Sequence, residues 1–274
     1  MSAVLVTGST GGIGTATVGL LRRRGFTVYA GARGPADFGP GVHVVPLDVA
    51  DPESVAAAAK RIASEVDGLA AVINNAGVIV QGPLELVPAD EWLRQLEVNT
   101  LGPASVIREF LPLLRAGSGR IVNVSAATGR VAMPLLGALS ASKAGLEALS
   151  NALRLELAPW KIPVVVVEPG TTQTEIFTRA GAAAEAALHR TDPARVDLYR
   201  PHLAAYEKAM TRFKPGPVDK VAEVIVRAVE ARRPRRRYAV AEARTFGAIL
   251  PNLPAALRDR LLATATGLSA IEPQ

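Results

Sequence analysis

Residues 3–14 read AVLVTGSTGGIG: a short apolar run, a glycine-rich turn, then the start of an amphipathic segment. Few folds accommodate that order. Glycines at 8, 12 and 14 allow a tight turn whose backbone N–H groups can approach an anion, because no β-carbon stands between. The helix that follows adds partial positive charge at its N-terminus. The segment therefore predicts a strand that feeds a helix through an anion-binding turn. The same alternation continues along the chain. Apolar runs at 27–31, 42–47, 69–74, 120–125, 162–168 and 237–241 read as strands. Helical patterns at 13–24, 52–66, 88–115 and 140–158 lie between them, the third interrupted near Gly102-Pro103. Several runs are apolar at successive positions, as parallel strands covered on both faces require. The expected fold class is α/β: a single Rossmann-type, doubly wound parallel sheet with helices on both faces.

No linker divides residues 1–274, which read as one dinucleotide-binding domain. Residues 175–215 break the rhythm with an Ala-rich stretch followed by His189, Tyr199, His202 and Tyr206. This stretch reads either as a helical lid over the carboxyl edge of the sheet or as an ordinary surface helix pair. A short amphipathic helix near 254–265 is expected to pack against it. The chain has no Cys, which excludes disulfides and thiolate metal sites, and no metal site is expected. No apolar run reaches eighteen residues, and the N-terminus enters a strand pattern without a basic leader. Together these point to a cytoplasmic protein with no membrane partner. The net charge of +6 comes largely from Arg22-Arg23-Arg24 and the arginine run 232–237. Aromatics are only 4% and no reader motif appears, so no nucleic-acid partner is expected.

TGSTGGIG at 7–14, NNAG at 74–77, Asn99 and Lys143 together resemble the short-chain dehydrogenase/reductase (SDR) family. The spacing TGxxxGxG is that of this family and not the GxGxxG of longer dehydrogenases. The resemblance covers residues 1–170 motif by motif and 218–241 more loosely. It implies a bound nicotinamide dinucleotide. Gly8, Ser9, Thr10, Gly12, Ile13 and Gly14 would surround the pyrophosphate, and Asp48 and Val49 would meet the adenine. Asn75, Ala76 and Gly77 would line the adenosine ribose, and Lys143 would hold the nicotinamide ribose. Pro169, Gly170, Thr171 and Thr174 would meet the nicotinamide amide. Asp48 reads equally as a helix-entry residue. At the end of the second strand an acidic residue would favour NAD(H). Position 32 is Ala and Arg33 follows, while Asp37 comes too late. A guanidinium suits a 2′-phosphate, so NADP(H) is expected over NAD(H), the alternative for Arg33 being a solvated loop charge.

The family divides proton handling among a Tyr, a Lys one helical turn later, a Ser after the fifth strand and an Asn. Lys143 and Asn99 match. The Tyr position is Leu139 and the Ser position is Ala126, so two hydroxyls are replaced by apolar side chains. Losing a general acid costs about 10²–10⁴-fold in rate, and losing an oxyanion donor about 10²–10³. Ser125 is expected to face away from Ala126, because successive strand residues alternate. Ser140 is turned about 100° round the helix from position 139. Other candidate donors are Tyr199, Tyr206, His189, His202 and Glu175. The resulting expectation is an NADP(H)-binding oxidoreductase of the SDR type with atypical or impaired alcohol/carbonyl hydride transfer, acting on a small, apolar molecule. The alternative is a non-redox protein on the same fold: a cofactor-binding sensor, an isomerase or cyclase, or a non-catalytic subunit. The resemblance also implies a homodimer or homotetramer, or a hetero-oligomer, formed through helices near 101–115 and 140–158.

Overall fold

The computed structural model describes residues 2–272. Seven strands form one sheet: β1 (Ala3–Val6), β2 (Thr27–Ala32), β3 (Val42–Pro46), β4 (Ala71–Asn74), β5 (Arg120–Val124), β6 (Val164–Glu168) and β7 (Arg237–Ala239). Their order is β3-β2-β1-β4-β5-β6-β7, and every pairing is parallel. This is the doubly wound α/β fold. All carboxyl ends share one edge, and the order reverses between β1 and β4, where such sheets open a ligand crevice.

Side-chain alternation decides what packs where. Ala3 and Leu5 of β1 point to one face, which holds α2 (Pro52–Ala63), α4 (Gly102–Ala116) and α5 (Gly137–Glu156) through Ile62, Phe110 and Leu153. Val4 and Val6 point to the other face, which holds α1 (Gly12–Arg23) and α8 (Val218–Glu230) through Val18, Leu21 and Ile225. Strands buried on both faces are apolar along most of their length, and β1, β4 and β6 are buried throughout, with only Asn74 and Glu168 polar at the carboxyl ends of the latter two. Helix α2 begins where Asp51 accepts the Glu53 N–H at 2.9 Å with Pro52 in the first turn.

The interruption expected near Gly102-Pro103 lies one turn earlier. Helix α3 (Ala89–Leu96) runs into a π-helical stretch, Glu97–Leu101, and then directly into α4. Pro103 cannot donate to the Asn99 carbonyl, and the wider turn before it absorbs the missing bond. The region 175–215 forms a helix pair, α6 (Glu175–His189) and α7 (Pro193–Met210), the latter capped by Asp192. A further helix, α9 (Ala243–Ile249), follows β7 where no helix was expected, and α10 spans Ala255–Ala265. The tail meets the insertion: a β-carbon on Gly267 would lie 3.1 Å from the Ala205 carbonyl oxygen. No helix among the described residues is long and apolar enough to cross a membrane.

Candidate active site at the carboxyl edge of the sheet

The turn after β1 is too tight for side chains. Gly8 has φ +62, and a β-carbon there would sit 2.7 Å from Ala76 Cα. On Gly14 it would collide with the Gly8 carbonyl oxygen, and on Gly12 it would meet the Thr174 methyl at 3.0 Å. Asn75 locks the turn from β4, its amide donating to the Thr7 and Gly8 carbonyls at 3.0 and 3.1 Å. Thr7 Oγ1 in turn accepts the N–H groups of Asn75 and Ala76 at 3.1 and 3.0 Å. Thr7 was missed by the motif reading, although it opens the TGSTGGIG segment.

The predicted cofactor residues divide by where their side chains go. Ser9 is buried with its hydroxyl on the Gly31 carbonyl at 2.9 Å, Ile13 packs on the core, and Val49 is buried against Gly102. Ser9 and Val49 thus leave only backbone atoms for a ligand, while Ile13 stays half-buried. Thr10 and Arg33 are exposed, and Arg33 makes no ion pair among the described residues. Asp37 Oδ1 accepts the Gly39 N–H in the following loop. Asp48 is half-buried, with Oδ1 on the Ala50 N–H at 3.0 Å. Thr174 lies over the glycine turn, and Pro169, Gly170 and Thr171 are half-buried at the end of β6.

Asn99, Gly77 and Lys143 converge. A β-carbon on Gly77 would stand 3.3 Å from Asn99 Oδ1 and 3.8 Å from Lys143 Nζ. Asn99 sits in the π-helical stretch, accepting the Val78 N–H at 2.9 Å and donating to the Val78 carbonyl at 3.0 Å. Gln95, one helical turn earlier, accepts the Val80 N–H at 2.7 Å and donates to Ser142 Oγ at 3.2 Å. Gln95 was also missed, and its i,i+4 spacing to Asn99 was the available signal. Lys143 is buried and donates to the Val124 carbonyl at 2.8 Å. Burial lowers its ammonium to about 8, and the negative charge of Glu147 opposes that shift in part.

On the same helix, one turn before Lys143, Leu139 is buried with Ile79, Leu136 and Ala180, and Met133, Ile176 and Tyr206 pack on that cluster. Ala126 is half-buried and extended at the start of a short turn. The Ser125 hydroxyl is taken up by Glu147 Oε1, to which it donates at 3.1 Å, and Ser140 Oγ accepts the Met133 N–H at 3.3 Å. Beneath Ser125, Arg237 pairs with Glu147 at 2.8 Å and with Glu168, whose carboxyl is pushed up to about 7 by burial.

Of the candidate proton donors in the insertion, Tyr206 alone joins the Leu139 cluster, beside Ile176 and Ala180, and burial pushes its phenol up to about 12. Tyr199 donates to Glu85 at 3.1 Å, the His202 ring lies tilted beside that of Tyr199, His189 is exposed, and Glu175 pairs with Arg179 at 2.5 Å. Between α6 and the loop after β4 remains a cavity of about 30 Å³, bordered by Val80, Leu86, Ala180 and Leu188, with room for little more than a water. One acidic group had no local signal. Glu242, just before α9, accepts the Thr171 N–H, and its carboxylate carbon lies 2.5 Å from where a Gly170 β-carbon would be.

The chain matches the short chain dehydrogenase family over residues 2–185. It belongs to that family of oxidoreductases. Human retinol dehydrogenase 5 is 33% identical to it over 277 residues, covering 94% of this chain and 87% of that protein. An NADPH-dependent 3-dehydrocapnine reductase of Ornithobacterium rhinotracheale is 31% identical over 278 residues, covering 95% and 96%. A Burkholderia cenocepacia short chain dehydrogenase, solved in complex with NADP, superposes with a TM-score of 0.74 at 29% identity over 95% of this chain and 97% of that one.

Proposed function

We propose that this chain is an NADP(H)-binding oxidoreductase of the short-chain family, acting in the cytoplasm on a small apolar molecule, with alcohol/carbonyl chemistry that is impaired or non-standard. The residues fit the dinucleotide. β-carbons at Gly8, Gly12 and Gly14 would fill the turn, and Arg33 stands exposed at the end of β2 for a 2′-phosphate. A solved relative holds NADP, which supports the same choice. In this reading Gly8, Thr10, Gly12 and Gly14 border the pyrophosphate, with the backbones of Ser9 and Ile13. Asp48 and the Val49 backbone take the adenine, and Asn75, Ala76 and Gly77 take the ribose. Lys143 with Asn99 holds the nicotinamide end, and Pro169, Gly170, Thr171 and Thr174 close it. Bound there, the nicotinamide would supply or accept a hydride.

One contrast on one helix carries the reading. Lys143 is held at the Asn99 and Gly77 corner, while Leu139, one turn earlier, is sunk in an apolar cluster that includes lid residues. The cofactor side keeps its polar groups, and the substrate side offers no phenol at 139 and no hydroxyl at 126. That same cluster favours a second reading, a non-redox member that binds the dinucleotide as a sensor or structural ligand. We read residues 1–274 as one domain with 175–215 as its lid. We also read the α4 and α5 faces as the site of self-association. Leu101, Leu155 and Trp160, 59%, 78% and 52% exposed, lie on or beside those helices.

The test is fluorescence titration with NADPH and NADH, followed by turnover on a broad carbonyl panel. NADPH is expected to bind more tightly than NADH, with the difference reduced in Arg33→Gln, and wild-type ketone reduction is expected to be barely measurable. Failure to bind either dinucleotide would overturn the cofactor assignment. Rapid wild-type reduction of ordinary ketones would overturn the impairment.

A further inference from the structure

The far edge of the sheet carries a second, chemically different cavity. Beside β7 and α8 lies a space of about 620 Å³, bordered by Arg227, Arg233, Arg235, Arg237, Arg244 and Tyr238, with Val224, Ala231 and Ala239 as its apolar wall. No carboxylate lines it. Arg237 is committed to Glu147 and Glu168. Arg227, Arg233, Arg235 and Arg244 are exposed and form no ion pair among the described residues. The loop is held in shape by the Arg235 N–H, which donates to the Tyr238 hydroxyl at 3.0 Å. The end of α8 is fixed by Arg120, which donates to the Ala228 and Ala231 carbonyls at 2.9 and 2.6 Å.

Four uncompensated guanidiniums around one cavity repel one another. Arginine cannot relieve this by losing a proton; water and salt screen it in part, and a bound anion relieves it most directly. Guanidiniums bind phosphate oxygens through paired, charge-assisted hydrogen bonds. The volume falls in the range of about 300–1,000 Å³ typical of small-molecule sites. From these observations we infer that the β7–α8 cavity is a binding site for a small anion carrying two or more phosphate groups, separate from the dinucleotide end. Four inter-strand steps divide β7 from the glycine turn after β1, about 19 Å at ~4.8 Å per step, while the proposed nicotinamide contacts at the end of β6 are one step away. A second copy of the chain across this edge would bring arginine against arginine. A nucleic-acid strand would need a stacking track, and Tyr238 is the only aromatic residue at the cavity.

The experiment is calorimetric titration of the full chain with tripolyphosphate and with sulfate at matched ionic strength. It is run on wild type, Arg233→Gln/Arg235→Gln and Arg33→Gln. A parallel arm measures sedimentation with phosphatidylcholine vesicles with and without phosphatidylinositol bisphosphate. The inference expects one saturable site that prefers tripolyphosphate to sulfate. It should weaken about tenfold or more in the double variant and stay unchanged in Arg33→Gln. NADPH affinity should be the same in the double variant, which separates this site from the proposed cofactor end. Pelleting that depends on phosphatidylinositol bisphosphate and that the double variant loses assigns the phosphates to a lipid headgroup. Tripolyphosphate binding without pelleting assigns them to a soluble molecule. The inference is overturned if sulfate binds equally well, if Arg33→Gln and not the double variant abolishes binding, or if neither tripolyphosphate nor the vesicles show binding that the double variant weakens.

Discussion

The backbone N–H of Thr171 is held by the carboxylate of Glu242, a residue 71 positions further along the chain. Ala241, just before it, has φ +54, a left-handed conformation that a non-glycine residue adopts at a cost. The turn after β7 thus aims a carboxylate at the end of β6, where the proposed nicotinamide contacts lie. Glu242 and the ligand amide would compete for one donor. Glu242→Gln weakens the intramolecular bond, and NADPH affinity is expected to rise about three- to tenfold, as for one ordinary hydrogen bond released. Fluorescence titration of wild type and variant measures this. An unchanged or weaker affinity would show that Glu242 supports the loop and does not compete with the ligand.

Restoring the two hydroxyls tests whether the substrate side is a disabled reductase. Ala126→Ser with Leu139→Tyr, assayed with NADPH on a carbonyl panel, is expected to raise ketone reduction by about 100-fold or more, the lower end of a general acid's contribution. The gain comes with a loss of stability. Leu139 is packed among Ile79, Leu136 and Ala180, and a larger ring there overpacks the site by about 1–3 kcal/mol. Thermal melts are expected to fall accordingly. If NADPH binding is kept and no reduction appears, the site was not waiting for its missing groups, and the non-redox reading gains.

The parts legible in the sequence are those with local causes. The glycine turn announces itself in twelve consecutive residues, and the two-sided burial of β1 follows from unbroken apolar positions. Strand alternation separates Ser125 from Ala126, and the Ser125 hydroxyl is engaged on Glu147, one turn beyond Lys143 on α5. What escaped depends on chain that returns from elsewhere. Glu242 reaches Thr171 only because α9 folds back over the turn after β5, where the Arg130 guanidinium donates to the Gly247 carbonyl. Gln95 and Ser142 form a buried amide–hydroxyl pair across two helices, and neither residue type marks a site by itself. The seating of Leu139 against Ala180 likewise depends on how α6 packs back onto α5.

The glycine turn should separate structural from incidental glycines. A methyl group on Gly14 would collide with the Gly8 carbonyl oxygen and lie 2.9 Å from Asn75 Nδ2. Those neighbours are backbone and a side chain already holding two carbonyls, so they cannot retreat. Gly14→Ala is expected to destabilise the fold by about 3 kcal/mol or more, in the range of strained or overpacked core changes. Gly34→Ala, with nothing within 4 Å of the new methyl, is expected to stay within about 0.5 kcal/mol of wild type. Denaturant melts of the two variants decide it. Equal stabilities would show that the turn relaxes freely.

Lys143 links the proposed site to pH. Its ammonium is lowered by burial from 10.5 to about 8. The unfolded chain therefore binds more protons between these values, and stability rises with pH through that window. Below pH 8 the cost of burying the charge is at its full size, about 3 kcal/mol at 1.36 kcal/mol per unit. Lys143→Met removes that cost but leaves the Val124 carbonyl without its donor, a loss of about 1 kcal/mol. The variant is thus expected to be more stable than wild type by about 2 kcal/mol at pH 7. The advantage should shrink as pH rises from 8 and be lost above 10.5, where the folded and unfolded lysines are both neutral. Urea denaturation of both proteins at several pH values across this range reads the difference directly, since other titrating groups cancel. A stability gap that does not change with pH would mean that Lys143 is hydrated and bears no burial cost.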